Sequence, residues 1–155
     1  MTRRSWSSKL LRLVGWGIRD ARHDDLERLL ELWSASGASP SVTDSRVPLV
    51  ALLELDPRAL LVADGSGGAV VGSLIAAWNG WRGSFYRLAV HPDERRRGLA
   101  TRLVREGERR LRQRGALRID AIVASDEAPA LCFWRAVGYE RQRERARFVR
   151  NFPPT

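Results

Sequence analysis

Apolar positions along the chain follow two different periods, and the alternation between them sets out the elements. Leu26, Leu29, Leu30 and Trp33 recur at helical spacing behind an Asp-x-x-Glu start, Asp24 to Glu27, which predicts a helix ending near Ser36-Gly37. A small, polar loop over residues 37–44 follows. It leads into a second helix over residues 45–55 that buries Leu49, Leu52 and Leu53 and is closed by Asp56-Pro57. Three runs are strand-like: 16–20, 59–63 and 69–78. Residues 64–68, Asp-Gly-Ser-Gly-Gly, join the last two with the residue types of a hairpin turn.

Asn79-Gly80 and Gly83 mark the next turn, and the strand after it, 85–90, is broken only by Arg87. His91-Pro92 stops that strand, because proline restricts the residue before it. From Ala100 the period becomes helical. Ala100, Leu103, Val104, Gly107 and Leu111 share one face, while Arg102, Arg105, Arg109 and Arg112 fall elsewhere. Between strand and helix lies Arg95-Arg96-Arg97-Gly98-Leu99-Ala100. The first amides of a helix have no intrahelical partner, the helix dipole is positive there, and glycine lets a ligand approach the backbone closely. This is the chemistry of a phosphate or pyrophosphate site. The residues alone are equally compatible with a solvated, charged turn.

Gly115 suits the left-handed end of this helix. Residues 116–124 then read as a strand returning after a helical crossover, expected as a parallel neighbour of 85–90. Asp126 is expected to cap a last helix with Pro129 in its first turn, Ala130, Leu131, Trp134 and Val137 on its inner face, and Gly138 at its end. The tail, 140–152, reads as a strand dense in arginine. The fold class is therefore α/β (α+β) with one mixed sheet.

A chain of 155 residues is expected to form a single domain over 16–155 and to need no metal or disulfide support. Residues 1–15, with Arg3, Arg4, Lys9 and Arg12, read as a disordered basic arm. Its apolar cluster is interrupted and lacks a cleavage site, so no export signal is expected, and no stretch is long enough for a membrane span. Cys132 is the only cysteine, which points to the cytoplasm. The net charge of +9 admits nucleic acid, an anionic membrane surface or a polyanionic small molecule. Against nucleic acid, no recognised binding signature accompanies the arginines.

The order Val90-x-Pro92, Arg95-x-x-Gly98-x-Ala100, then an amphipathic helix, resembles the acyl-CoA motif of the GNAT superfamily of N-acyltransferases. A second segment, Ala130, Phe133, Trp134, Gly138 and Tyr139, is similar to a further motif of that superfamily, with Trp134 where tyrosine is usual. The resemblance implies a mostly antiparallel sheet in which two parallel strands splay to form a cleft for acetyl-CoA. It implies that the backbone of Leu88, Ala89 and Val90 pairs with the pantetheine arm. Arg95, Arg96, Arg97, Gly98, Leu99 and Ala100 would hold the pyrophosphate with Thr101 in reach, and Phe133 and Trp134 would lie near the thiol end or the adenine.

Acyl transfer also needs an oxyanion donor and a proton for the leaving thiolate. The resemblance gives the first role to the Val90 N–H. Indole does not release its proton, so Trp134 cannot serve as acid; Tyr86, Cys132 or water is expected to do so. Asp44, Glu54 and His91 are candidate bases, although His91 before Pro92 also suits a strand-end cap. The implied enzyme transfers the acetyl group to a primary amine of a small molecule, peptide or protein within a ternary complex, as a monomer or homodimer. Arg141, Arg143, Arg145 and Arg147 suggest an acceptor with an anionic group beside its amine. Two rival readings are an acyl-CoA sensor without catalysis and a basic nucleic-acid-binding domain.

Overall fold

The computed structural model describes residues 15–155, so the basic arm expected at the N-terminus lies, except for Gly15, outside the described residues. The chain divides into two compact units, one closing at Asp120 and the other running from Ala121 to Thr155.

The sheet has the strand order β1-β2-β3-β4-β5 and is mixed. Strands β1 (Gly17–Asp20), β2 (Leu60–Asp64), β3 (Val70–Trp78) and β4 (Gly83–Val90) pair antiparallel in sequence. β5 (Ile119–Ala121) lies at the β4 edge, where the Gly83 amide donates to the Arg118 carbonyl at 3.0 Å. β2 and β3 are almost continuously apolar because helices cover both of their faces. On one face α1 (Leu26–Ala35) and α2 (Arg46–Leu55) pack Leu29, Leu32, Trp33, Leu49 and Leu53 with Leu60, Val62, Ile75 and Ala89. Strand alternation puts Leu74 and Phe85 on the other face, under α3 (Leu99–Gln113), whose Leu99, Leu103, Val104 and Leu111 are buried. Each such leucine contributes about 2 kcal/mol of burial.

Gly107 permits that packing. A Cβ there would lie 2.7 Å from Phe85 Cε1 and 2.8 Å from Leu74 Cδ2. The sequence places Gly107 on the buried face of the helix, and this close approach is the physical reason a larger residue is absent.

The entry to α1 is built differently from the expected Asp24 to Glu27 pairing. Asp25, buried, accepts the Arg22 N–H at 2.7 Å and two bonds from the Arg19 guanidinium at 2.7 and 2.9 Å. Arg19 also reaches Asp64 at 2.8 and 3.0 Å, so one guanidinium ties β1, β2 and the start of α1 together. Leu32, outside the expected stripe, is buried, whereas Leu52 is half-buried. β4 begins at Gly83, which the sequence assigned to the preceding turn.

The return strand is three residues long rather than nine. Ala116 is drawn into the end of α3 by its N–H bond to the Leu111 carbonyl, and Leu117 is fully exposed. In the second unit α4 (Ala128–Ala136) starts behind Glu127, not Asp126, with Pro129 in its first turn as expected. The arginine-rich tail forms no strand among the described residues. Its side chains are exposed, Phe148, Val149 and Phe152 included, and among the described residues no strand of the sheet pairs with it.

Candidate functional site

β4 carries a bulge in its middle. Ser73 stands opposite Ala89 and Ile75 opposite Tyr86, so Arg87 and Leu88 together face the single residue Leu74. Arg87 takes φ +51°, a left-handed conformation uncommon outside glycine. A regular strand with Phe85 on the α3 side and Tyr86 on the α1 side would return the next side chain toward α3. The bulge turns Arg87 instead toward α1 and the 37–44 loop. There its Nε donates to Asp44 Oδ1 at 3.0 Å, its terminal nitrogen donates to Asp44 Oδ2 and, at 3.1 Å, to the Ser39 carbonyl. The guanidinium lies 5.4 Å from the Trp33 ring centroid.

Beyond the bulge the ladder resumes, and the His91 N–H donates to the Val71 carbonyl at 2.8 Å. Alternation along an antiparallel strand then turns the Ala89 N–H toward β3 and the Leu88 and Val90 N–H groups away from it. The Val90 carbonyl points the same way as its N–H and accepts Arg95 Nε at 3.3 Å. β4 thus ends with two amide donors, Leu88 and Val90, aimed off the sheet edge.

A one-turn helix over Pro92–Glu94 follows, with His91 Nδ1 accepting the Asp93 N–H at 3.2 Å as its cap. Arg96 takes φ +60° and Gly98 φ +84°, and α3 begins at Leu99. The first intrahelical bond runs from Arg102 N–H to the Gly98 carbonyl at 3.1 Å, which leaves the preceding first-turn amides without a helical partner. Among the described residues, a Cβ on Gly98 would meet nothing within 4 Å, so they leave the backbone open here. Left-handed residues flanking Arg97, followed by a helix head, make a concave set of N–H donors suited to an anion.

The three arginines occupy different positions around this concavity. Arg95 reaches back to the Ser36 carbonyl at 2.9 Å and to Val90. Arg97 pairs with Glu94 at 2.5 Å and lies 5.0 Å from the Trp16 ring centroid. Arg96 is exposed. Leu99 is buried, while Ala100 and Thr101 are half-buried in the first turn. Leu88, Ala89, Val90 and residues 95–101 therefore share one strand, turn and helix within the first unit. Tyr86, exposed, precedes the bulge on the same strand.

Phe133 and Trp134 belong to the second unit. There Trp134 packs edge-on to Phe133 and to Tyr139, with centroids 5.4 and 5.0 Å apart. Of the candidate bases, Asp44 has both oxygens held by Arg87, His91 Nδ1 already accepts a backbone N–H, and Glu54 is exposed on α2. Sequence reasoning did not find the Arg87, Asp44, Trp33 and Ser73 cluster. Its one signal was the lone arginine interrupting an apolar strand.

The family model of the acetyltransferase (GNAT) family matches residues 23–139. The acetyltransferase SG1711 of Sodalis glossinidius is 36% identical over 125 residues, covering 81% of this chain and 87% of its own. The acetyltransferase ECA0875 of Pectobacterium atrosepticum is 35% identical over 123 residues, covering 79% and 86%. Among solved structures, Ard1 from Thermoplasma volcanium has a TM-score of 0.72 at 21% identity, over 81% of this chain and 82% of that one. The PaiA N-acetyltransferase of Thermoplasma acidophilum, solved with coenzyme A, has a TM-score of 0.71 at 17% identity, over 83% and 92%.

Proposed function

Because the chain belongs to the acetyltransferase (GNAT) family and is an acyltransferase enzyme, we propose that it transfers the acetyl group of acetyl-CoA to a primary amine by direct attack in a ternary complex. The observation that carries this reading is the continuity of the two donor sets: the Leu88 and Val90 amides at the end of β4 lead within a few residues into the open cradle at Gly98. A thioester with a diphosphate at its far end needs donors of both kinds.

In this reading the amides from Arg96 to Thr101 bind the pyrophosphate, and the exposed Arg96 adds charge. The Leu88 amide orients the pantetheine arm. The Val90 N–H binds the carbonyl oxygen of the acetyl group, where negative charge develops as the amine adds. The thioester supplies an activated acyl carbon and a thiolate leaving group. Tyr86 supplies the proton to that group and takes up in return the proton that the amine loses after it adds. Asp44 and His91 are committed to Arg87 and to the turn after β4, so the acceptor enters as the free amine.

The acceptor carries an anionic group near its amine. Support comes from the exposed arginines Arg141, Arg143, Arg145 and Arg147, whose field favours an anion over a polyamine. Titration calorimetry tests the first part: acetyl-CoA binds at micromolar concentration, and duplex DNA at physiological salt does not. The reverse result overturns the enzyme reading in favour of nucleic-acid binding. A screen of amines with a thiol-release readout tests the second part, and turnover confined to polyamines would sink the anionic-acceptor idea.

A further inference from the structure

We propose that Arg87 and Asp44 form a latch that positions the amide donors at the end of β4, making Arg87 a positioning residue for the reaction. The proposal rests on the functional reading above for its consequence, and on the geometry of the bulge for its cause.

A non-glycine residue at φ +51° sits in a conformation that the local backbone disfavours, so something must hold it there. Two sets of contacts do so. On the backbone side, the Arg87 carbonyl accepts Ser73 Oγ at 2.8 Å, and that hydroxyl in turn accepts Trp33 Nε1 at 2.9 Å. On the side-chain side, the guanidinium makes a two-nitrogen, two-oxygen pair with Asp44 and a bond to the Ser39 carbonyl. Both partners of the pair are mostly withdrawn from water, with side-chain exposures of 19% and 18%. The fork geometry of this pair fixes direction as well as distance.

The bulge is what turns the strand so that Leu88 and Val90 aim their N–H groups off the sheet. If Arg87 relaxed into regular strand geometry, the register past it would shift by one residue and the alternation of donors would invert. The latch resists that shift. It also joins the bulge to the 37–44 loop, so loop order and donor direction rise and fall together.

The variants Asp44→Asn, Asp44→Glu, Arg87→Ala and the Asp44→Asn/Arg87→Ala pair test this in the full chain. Amide exchange by NMR is read at Ala89, whose N–H faces β3 beside the bulge, and at Val62 in β2 as a control. Acetyl-CoA affinity is read by calorimetry. Asp44→Asn and Arg87→Ala are expected to speed Ala89 exchange about tenfold with Val62 unchanged, and to weaken acetyl-CoA about tenfold. The double variant is expected to be no weaker than the worse single one, and Asp44→Glu to recover part of the loss. Unchanged Ala89 exchange, equal acceleration at Ala89 and Val62, or losses that simply add would each overturn the latch. A wild type that binds no acetyl-CoA would overturn the functional reading instead, and the exchange comparison would still decide the latch.

Discussion

Ser73 Oγ donates to the carbonyl oxygen of Arg87 at 2.8 Å while accepting the Trp33 indole N–H at 2.9 Å, and Ser73 has no exposed surface at all. One hydroxyl therefore satisfies a donor from α1 and an acceptor from β4. In an apolar interior each would otherwise stand unpaired. This relay is why a serine lies in the middle of an apolar strand.

Ser73→Ala removes the hydroxyl and leaves both groups buried. The expected loss is about 2 kcal/mol of unfolding free energy in urea, with the slope on denaturant unchanged. A loss below about 0.5 kcal/mol would mean that the two groups find other partners.

Gly107→Ala sets helix propensity against packing. Alanine is favoured over glycine in a helix by about 1 kcal/mol, but overpacking a core costs about 1 to 3 kcal/mol. With its Cβ 2.7 Å from the Phe85 ring, packing is expected to win and the variant to be less stable. Adding Phe85→Leu should give a double variant less destabilised than the sum of the two singles. A stabilised Gly107→Ala, as on an exposed helix, would refute the close approach.

How far the sequence could be read follows from these same residues. Helical periodicity located α1, α2 and α3, because each buries one face against one neighbouring layer, and near-continuous apolar runs located β2 and β3, which helices cover on both faces. The strand, basic turn and helix that hold the cradle were legible for the same reason, with Gly98 as punctuation. What local pattern could not carry was long-range pairing. Arg87 read as an interruption because Asp44 lies 43 residues away. Asp25 is not legible from local pattern because its partner Arg19 sits on β1. The arginine-dense tail reads as a strand by residue type, but a strand needs a partner's hydrogen-bonding edge, which local pattern does not supply.

Asp25 makes a prediction in pH. The Arg19 guanidinium, helped by the Arg22 N–H and opposed by burial, holds its carboxyl below the usual carboxylate range. The unfolded chain titrates near the ordinary value of about 3.9. The stabilisation is therefore complete above that value and is lost as pH falls through it toward the folded-state value. Asp25→Asn should be less stable than wild type at pH 7, by about 3 kcal/mol if the buried arrangement is broken outright, and the gap should narrow by pH 3. Glu106, held at about 2 by Arg109 and then Arg110, adds to the wild-type acid slope in the same direction and is unaffected by the substitution. Urea midpoints at several pH values decide it, since a gap that does not vary with pH excludes this linkage.

Gly98 gives the most direct test of the cradle. At φ +84° an L-residue is strained, by about 1 to 2 kcal/mol for alanine or valine and less for asparagine, which tolerates the left-handed region. Among the described residues, beyond its own chain neighbours, nothing lies within 4 Å of the added Cβ, so the described fold has room for it. A diphosphate seated on the amides at the head of α3 would not. Gly98→Val and Gly98→Asn should therefore both lower acetyl-CoA affinity more than tenfold, while melting temperature falls by only a few degrees, and by less for asparagine. The separation of the two effects is the point: strain ranks valine above asparagine, whereas obstruction of the ligand affects both. Arg96→Ala should weaken binding only two- to threefold, because the amides carry most of the contact, and Arg95 and Arg97 are already engaged with Ser36 and Glu94. If both glycine variants bind acetyl-CoA as the wild type does, the anion does not sit at the head of α3 and the motif has another use in this chain.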